Sequence, residues 1–312
     1  MTDAITFTNL DAPLFAEAGA TKGDLVRYLD AVRHRLIPDL RNRPLSVIRA
    51  VRGQQPFMQK NVPKYAPPWV RTVTMWADAS KREVSYALCN DRRTLLWFAN
   101  QRAVEFHPAL VRAGRLDKPL FLVIDLDPPS GEGFAAAVFA AHLVRAALSE
   151  YGLTGAVKTS GAKGVHVFVP VTRASHEEVA AAARGIAARV EQLDPSLATT
   201  AFMKDQRGGR VFIDATRVGG ATVVAAYSPR VRAGVPVSFP LDWDELDHVA
   251  PTDFTIHTAA HLASERSSWS DLLPKPQRLP AHLIAAGKAV PLGRVQAMHE
   301  GRRRARAVRD AR

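Results

Sequence analysis

The clearest signal along the chain is the run at residues 120–126, LFLVIDL. It is almost continuously apolar, the pattern of a strand buried on both faces. An alanine-rich stretch follows, and it predicts a helix starting at Ser130 or Glu132 and reaching about Glu150, with Gly152 as its stop. Residues 156–159 and 165–171 read as two short strands joined by Ser160-Gly161-Ala162-Lys163-Gly164. Ser175 with Glu178 forms a capping box for another helix, closed by Pro195. Strands are expected near residues 210–214 and 222–226.

The first hundred residues are less regular. Thr21, with Asp24 three residues on, predicts a helix from Lys22 to about Ile37, ended by Pro38. Residues 45–51, 70–76, 84–89 and 103–106 read as strands, and Asp91 caps a short helix to about Ala99. Residues 53–68 read as a loop. From Leu273 the chain is rich in Pro and then basic, and it reads as a mobile tail. The whole is an α/β mixture. Several strands are joined by short hairpins, so the sheet should be mixed or antiparallel, not doubly wound. The expected organisation is one domain over residues 1–272, with lobes at about 1–115 and 116–272, followed by the tail at 273–312.

Composition narrows the class. Hydrophobic residues make up 47% of the 312, enough for a substantial core. No uncharged apolar stretch is long enough to span a membrane, and residues 1–10 lack the pattern of a signal peptide. A single cysteine, Cys89, excludes an internal disulfide and a cysteine metal cluster. These features place the chain in a reducing cytoplasm. Lys and Arg number 42 against 30 acids, a net +12 that points to a polyanionic partner. Residues 301–312 carry six Arg and one Asp, so five of those charges belong to the tail and seven to the body.

Three stretches carry chemistry. Asp125 and Asp127 end the buried strand at positions i and i+2, which share a face. Two adjacent carboxylates raise each other's proton affinity unless a cation lies between them. The pattern therefore reads as a metal site or as a solvated turn fixed by Pro128 and Pro129. Asp214 ends a second apolar run, and a third carboxylate would complete a clamp for two ions roughly 3.5–4 Å apart. In Ser160–His166, glycines around Lys163 allow backbone N–H groups to approach a phosphate. Ser160 and His166 add donors. The alternative is a tight charged hairpin turn, and the spacing is not that of a P-loop. Downstream, Arg217, Arg230 and Arg232 suit a substrate rich in phosphate oxygens, or form a surface cluster paired with Asp242 and Asp244.

Val-Ile-Asp-Leu-Asp-Pro-Pro, Ser-Gly-Ala-Lys-Gly-Val-His, Val-Phe-Ile-Asp, Tyr-Ser-Pro-Arg and Trp-Asp-Glu-Leu occur in this order. Together, over roughly residues 5–272, they resemble the polymerase domain of bacterial ligase D, of the archaeo-eukaryotic primase superfamily. With no ligase or nuclease segment, the chain looks like a stand-alone relative. The resemblance implies a primase-polymerase fold, with an RRM-like mixed catalytic sheet and an N-terminal α/β lobe. It makes Asp125, Asp127 and Asp214 the catalytic metal ligands, for two ions of manganese or magnesium. Ser160, Lys163, His166 and Arg230 match positions that handle the incoming triphosphate. Lys22, Arg49, Phe57, Lys60 and Arg217 are the expected DNA contacts. The implied activity is extension of DNA 3′ ends in non-homologous end joining, by gap filling, primer extension and untemplated addition, with ribonucleotides favoured. The implied partners are DNA ends, gaps or primer-templates and NTPs or dNTPs, with Ku and a separate DNA ligase as candidates. The implied location is cytoplasmic and nucleoid-associated.

The sequence departs from that pattern at three places. The lysine the family usually carries about ten residues before Lys22 is missing from Asp11-Ala12-Pro13-Leu14-Phe15. An aromatic pair is replaced by Phe57-Met58. Val218, in place of Asn, follows Arg217. Two other classes compete on the residues alone. A two-metal nuclease would use the same carboxylates without the Ser160–His166 element. A non-catalytic DNA-end binder would tolerate loss of the acids. A glycosyltransferase using Asp-x-Asp fits the basic charge poorly.

Overall fold

The computed structural model describes residues 5–77, 81–129, 133–218 and 221–291. Two sheets form, each with its own helices. The first is built from β1 (Leu45–Arg49), β2 (Phe57–Gln59), β3 (Thr72–Ala77), β4 (Arg82–Ala87) and β5 (Ala103–Pro108). All its pairings are antiparallel, and β1 is the hub, with β5 along one edge and β4 and β2 along the other. Helices α1 (Lys22–Ala31), α2 (Arg33–Leu40) and α3 (Arg92–Asn100) belong to this lobe. Thr21 and Asp24 form the expected capping box at the start of α1.

The helix expected over residues 22–37 is two helices. The break falls at Val32, and α2 runs through Pro38 to Leu40. Pro38 removes one intrahelical bond. Burial of Leu36, Ile37 and Leu40 offsets that loss at about 1.5–3 kcal/mol for each side chain. The loop expected at residues 53–68 contains β2, which pairs with β1.

The second sheet has six strands: β6 (Phe121–Asp127), β7 (Ala156–Thr159), β8 (Val165–Pro170), β9 (Ala198–Thr199), β10 (Val211–Asp214) and β11 (Pro240–Leu241). Their order is β11-β7-β8-β6-β10-β9, antiparallel except for β9 with β10, so the sheet is mixed. Helix α4 (Phe134–Glu150) crosses from β6 to β7, and α5 (His176–Leu193) follows β8. This is a βαββαβ succession, with β6 and β8 at its centre. Leu122, Ile124 and Leu126 of β6 are fully buried, as are Val165 and Val167 of β8. Gly155 abuts both Val167 and Leu148 of α4, which fixes this as the helix-covered face. By alternation, Asp125 and His166 point to the other face. The expected helix starts at Ser130 or Glu132 lie outside the described residues.

Residues 222–226 do not form the expected strand. They follow β5 through a bridge from Thr222 to Ala109 and an N–H···O bond from Ala225 to Phe106. Two short helices, α6 (Ala259–Ser264) and α7 (Trp269–Leu272), complete the lobe.

The segment after Leu273 is not a free tail as far as Pro291. Gln277 donates its N–H to Pro170 and accepts from Thr172, and its side chain bonds Thr154. Helix α8 (Ala281–Ala289) then packs on α5, with Leu283 fully buried. Gly185 and Gly287 meet at the crossing, where a Cβ on Gly287 would lie 1.7 Å from the Ala181 carbonyl oxygen. The glycines permit that close approach, and sequence polarity concealed it. The basic residues 301–312 lie outside the described residues. Among those described, no helix is long and apolar enough to cross a membrane.

Candidate active site

The second sheet carries a row of polar side chains across four strands. Asp214 of β10 pairs in register with Asp125 of β6, Asp125 with His166 of β8, and His166 with Lys158 of β7. Residues directly opposite on antiparallel strands share a face, so the row is set by backbone register. Asp127 lies two residues beyond Asp125 on the same face. All three carboxylates expected as metal ligands therefore converge.

The electrostatics of this convergence are uneven. Burial pushes the Asp125 carboxyl up, but His166, Arg217 and Lys158 outweigh it and hold it down at about 2. His166 Nε2 lies 3.2 Å from Asp125 Oδ1, and Arg217 Nη2 lies 3.3 Å from its Oδ2. Asp214 accepts bonds from the N–H and hydroxyl of Thr216 at 2.8 and 2.5 Å, and faces Arg217 Nε at 3.3 Å. Asp127 has the opposite bias: burial, then Asp125 and Asp214, push it above the ordinary carboxylate range. Arg217 thus bridges Asp125 and Asp214 and offsets part of their charge. The structure places Arg217 at the carboxylates.

These residues fit a hard divalent cation. Their donors are carboxylate oxygens, the type Mg²⁺ and Mn²⁺ prefer. Burial first, and then the charges of Asp125 and Asp214 against the opposing Arg217, raise the proton affinity of Asp127. Among the described residues, no three acidic, His or Cys side chains are already closed into a metal cage.

Beside the row lies the turn from Ser160 to Gly164. Ser160 Oγ accepts the N–H groups of Ala162 and Gly164 at 3.2 and 3.1 Å. Gly161 has φ +68°, and a Cβ there would lie 2.7 Å from both Arg230 Cγ and Ser238 N. A Cβ on Gly164 would lie 2.3 Å from Leu126 O, so the turn is tucked against β6 next to the carboxylates. Lys163 is exposed and has no ion pair among the described residues. Arg230 Nη1 donates to the Ser160 carbonyl, and its Nε pairs with Glu105 at 3.0 Å. Ser160, Lys163, His166 and Arg230 are thus brought together at one edge of the carboxylate row.

Two groups essential to this geometry were not singled out in the sequence. Lys158 is fully buried, with Nζ 2.8 Å from His166 Nδ1 and 2.5 Å from Ser238 Oγ. Burial lowers its pKa to about 7, and burial together with Lys158 lowers that of His166 to about 4. Glu105 of β5 accepts from Arg230, the Val231 N–H and His107. Burial pushes Glu105 up, but His107 and Arg230 prevail and hold it at about 2. A lysine in the short apolar Ala-Val-Lys-Thr strand, and an acid in Ala-Val-Glu-Phe-His, were the available signals.

The expected DNA contacts separate into two groups. Arg49 and Phe57 lie on the first sheet, and Lys60 directly follows β2. Arg49 bonds Gln101 O, Gln59 and the Tyr65 hydroxyl at 2.8–2.9 Å, with its guanidinium 5.8 Å from the Phe57 ring centre. Phe57, Met58, Lys60 and Tyr65 around it are exposed. Lys22 is different. It is buried, and its ammonium donates to Thr8 O at 2.5 Å and to Asn100 Oδ1 at 2.7 Å. It is not displayed for a phosphate, because the N-terminal strand of chain at Thr8 folds over it.

With this geometry in place, comparison with known proteins is decisive. A family model described as LigD, primase-polymerase domain, matches residues 21–269. The chain belongs to that family. It is a nucleotidyltransferase of the primase-polymerase type. It is 33% identical over 287 residues to the bifunctional non-homologous end joining protein LigD of Bacillus subtilis, covering 90% of this chain and 46% of that protein. It is 33% identical over 258 residues to the multifunctional non-homologous end joining DNA repair protein LigD of Mycobacterium tuberculosis, covering 79% and 34%. The chain thus spans less than half the length of these relatives. Among solved structures, it matches the polymerase domain from Mycobacterium tuberculosis ligase D in complex with DNA. The TM-score is 0.77 at 29% identity, over 86% of this chain and 98% of that one.

Proposed function

We propose that this chain is a metal-dependent polymerase that extends DNA 3′ ends in end joining, by gap filling, primer extension and untemplated addition, and favours ribonucleotides. The observation that carries the reading is the row Asp214–Asp125–His166 flanked by the Ser160–Gly164 turn and Arg230. Carboxylates beside a cluster of phosphate donors suit nucleotidyl transfer better than hydrolysis, which has no need of the second group.

Asp125, Asp127 and Asp214 would hold two divalent ions, manganese or magnesium, which when bound activate a 3′-hydroxyl and neutralise a leaving pyrophosphate. The chain's own residues supply the rest. His166, Arg230, Lys163 and the turn at Ser160 receive the triphosphate and orient its α-phosphorus for in-line attack. Arg217 moves from the carboxylates toward phosphate oxygens of the DNA or nucleotide. The exposed Phe57, with Arg49 and Lys60, supports the template by stacking and charge. Lys22 serves a DNA phosphate only if its bonds to Thr8 and Asn100 are released. DNA ends, NTPs and dNTPs are the substrates on this reading, with Ku and a separate DNA ligase as partners.

The test is primer extension on gapped and recessed duplexes with manganese and each NTP or dNTP, wild type beside Asp125→Ala/Asp127→Ala. Longer products from wild type alone are expected, with ribonucleotides incorporated faster. Shortened products would establish a nuclease. DNA binding without extension in either protein would establish an end-binding protein.

A further inference from the structure

An ammonium group is an expensive occupant of a sheet interior. Lys158 is nevertheless fully buried between β8 and β11. A methionine would fill that space without a charge, so packing alone does not account for the lysine.

The directions of its hydrogen bonds do. Ser238 Oγ donates to the Thr159 carbonyl at 2.7 Å, so toward Lys158 it can only accept. The other neighbour of Nζ is His166 Nδ1, at 2.8 Å. As ammonium or as neutral amine, Nζ keeps an N–H for Nδ1 after donating to Ser238, and two N–H donors do not face each other at that distance, so Nδ1 receives it as a bare acceptor. At the far side of the ring, Nε2 lies 3.2 Å from Asp125 Oδ1, an acceptor-only carboxylate that calls for a proton on Nε2. Both sides of the imidazole therefore agree on one tautomer. The Phe168 ring, 5.6 Å from Nζ, closes the site on a further side.

We propose that Lys158 is a positioning residue. By donating to Nδ1 it holds His166 in the tautomer protonated on Nε2, and keeps that nitrogen a donor toward the carboxylate row and the incoming phosphate. The last step rests on the nucleotidyl-transfer reading. The tautomer does not, because it follows from Lys158, Ser238 and Asp125 alone. A partner that fixes the tautomer and orientation of a working histidine changes rates by about 10–100-fold in comparable sites.

The decisive measurement is a long-range ¹H–¹⁵N correlation spectrum of protein labelled on histidine nitrogens, with the His166 signals assigned by their loss in His166→Ala. The metal-free wild type should show proton on Nε2 only. Proton on Nδ1, or on both nitrogens, overturns the proposal, and this readout needs no turnover. Lys158→Met should then show a mixed tautomer and a 10–100-fold fall in kcat with a smaller change in KM. In a His166→Ala background, the same substitution should cost less than twofold. A single Nε2–H tautomer retained in Lys158→Met, or losses that multiply in the double variant, would show that Lys158 acts by packing. If Lys158→Met does not fold, a wild-type proton on Nδ1 still overturns the proposal. If the protein extends no primer, the tautomer stands or falls separately.

Discussion

The two sheets use charge in opposite ways. On the second, Lys158, His166, Asp125 and Asp214 form one buried row, each held by a neighbour across the sheet. On the first, the charged side chains of the β1–β2 hairpin reach outward, where Arg49 ties Gln59 and Tyr65 together beside an exposed Phe57. Buried charge is costly and geometrically fixed. Exposed charge is cheap and adaptable. On the proposed reading, the second sheet suits chemistry at fixed positions and the first a ligand whose shape varies, as DNA does. Glu105 joins them: it belongs to β5 of the first sheet but binds Arg230 beside that row.

The sharpest way to break the contrast is to remove a charge from the row. Asp125→Asn or Asp214→Asn should abolish primer extension, with a loss of about 10³-fold or more, since each removes a ligand from charge stabilisation of the transition state. Without metal, Asp125→Asn should melt lower than wild type, because His166 and Arg217 hold that carboxyl down and lose its charge. Asp127→Asn, whose carboxyl is pushed up by burial and by the neighbouring acids, should melt at the wild-type temperature or above it. Equal shifts in the two variants would show that the Arg217 bridge does not stabilise the fold.

A smaller effect is expected from the turn. Gly161→Ala forces a Cβ to 2.7 Å from Ser238 N at positive φ. It should lower stability by about 1–3 kcal/mol and raise the KM for nucleotide by displacing Arg230. Gly152, also at positive φ but with nothing within 4 Å of its virtual Cβ, is the control. Gly152→Ala should cost about 1 kcal/mol in chemical denaturation with KM unchanged. Equal effects on KM would deny the Ser160–Gly164 turn its nucleotide role.

Glu105 offers a pH test of the link between sheets. Its folded pKa, about 2, lies below its ordinary value near 4.5. A depressed carboxylate adds stability that is complete above the unfolded pKa and is lost as pH falls toward the folded one. That window is about pH 5 to 2, and the shift corresponds to about 3 kcal/mol. Glu105→Gln should therefore be less stable than wild type at neutral pH and nearly equal to it at pH 2. Parallel stability curves would place the Glu105 contribution in packing.

Much of the second sheet was legible because register and period are local properties. The run ending in Asp125 and Asp127, the hairpin at Ser160 and the capping box at Ser175 all formed as their residues dictate. Asp214 was legible as an acid ending a second apolar run, and Arg230 as one of three arginines suited to phosphate, while the resemblance gave each its role at one site. Lys158 and Glu105 stayed hidden because a charged residue in an apolar strand is explained only by a partner far along the chain: Ser238 is 80 residues from Lys158, and Arg230 is 125 from Glu105. The same limit explains α8. Residues 273–291 read as tail by composition, yet Leu283 and the glycine crossing at Gly185 dock them on α5. The enclosure of Lys22 was equally hidden: a first-turn lysine looks like an exposed anion contact, yet Thr8 and Asn100 accept its ammonium bonds.

The mildest perturbation tests the exposed sheet itself. Phe57 is 38% accessible on β2, opposite Arg49 in register. Its ring contributes little to the core, so Phe57→Ala should change stability by no more than about 0.5–1 kcal/mol. A stacking platform is worth about 1–3 kcal/mol per base. The variant should thus bind a primer-template 5- to 150-fold more weakly by fluorescence anisotropy, by the usual conversion of about 1.4 kcal/mol per tenfold. Untemplated addition to a blunt end, which has no template base to support, should fall less than gap filling. If both reactions fall equally, Phe57 anchors the β1–β2 hairpin through Arg49. If neither falls, the template crosses a different part of the first sheet, and the exposed Trp76 on β3 becomes the next ring to remove.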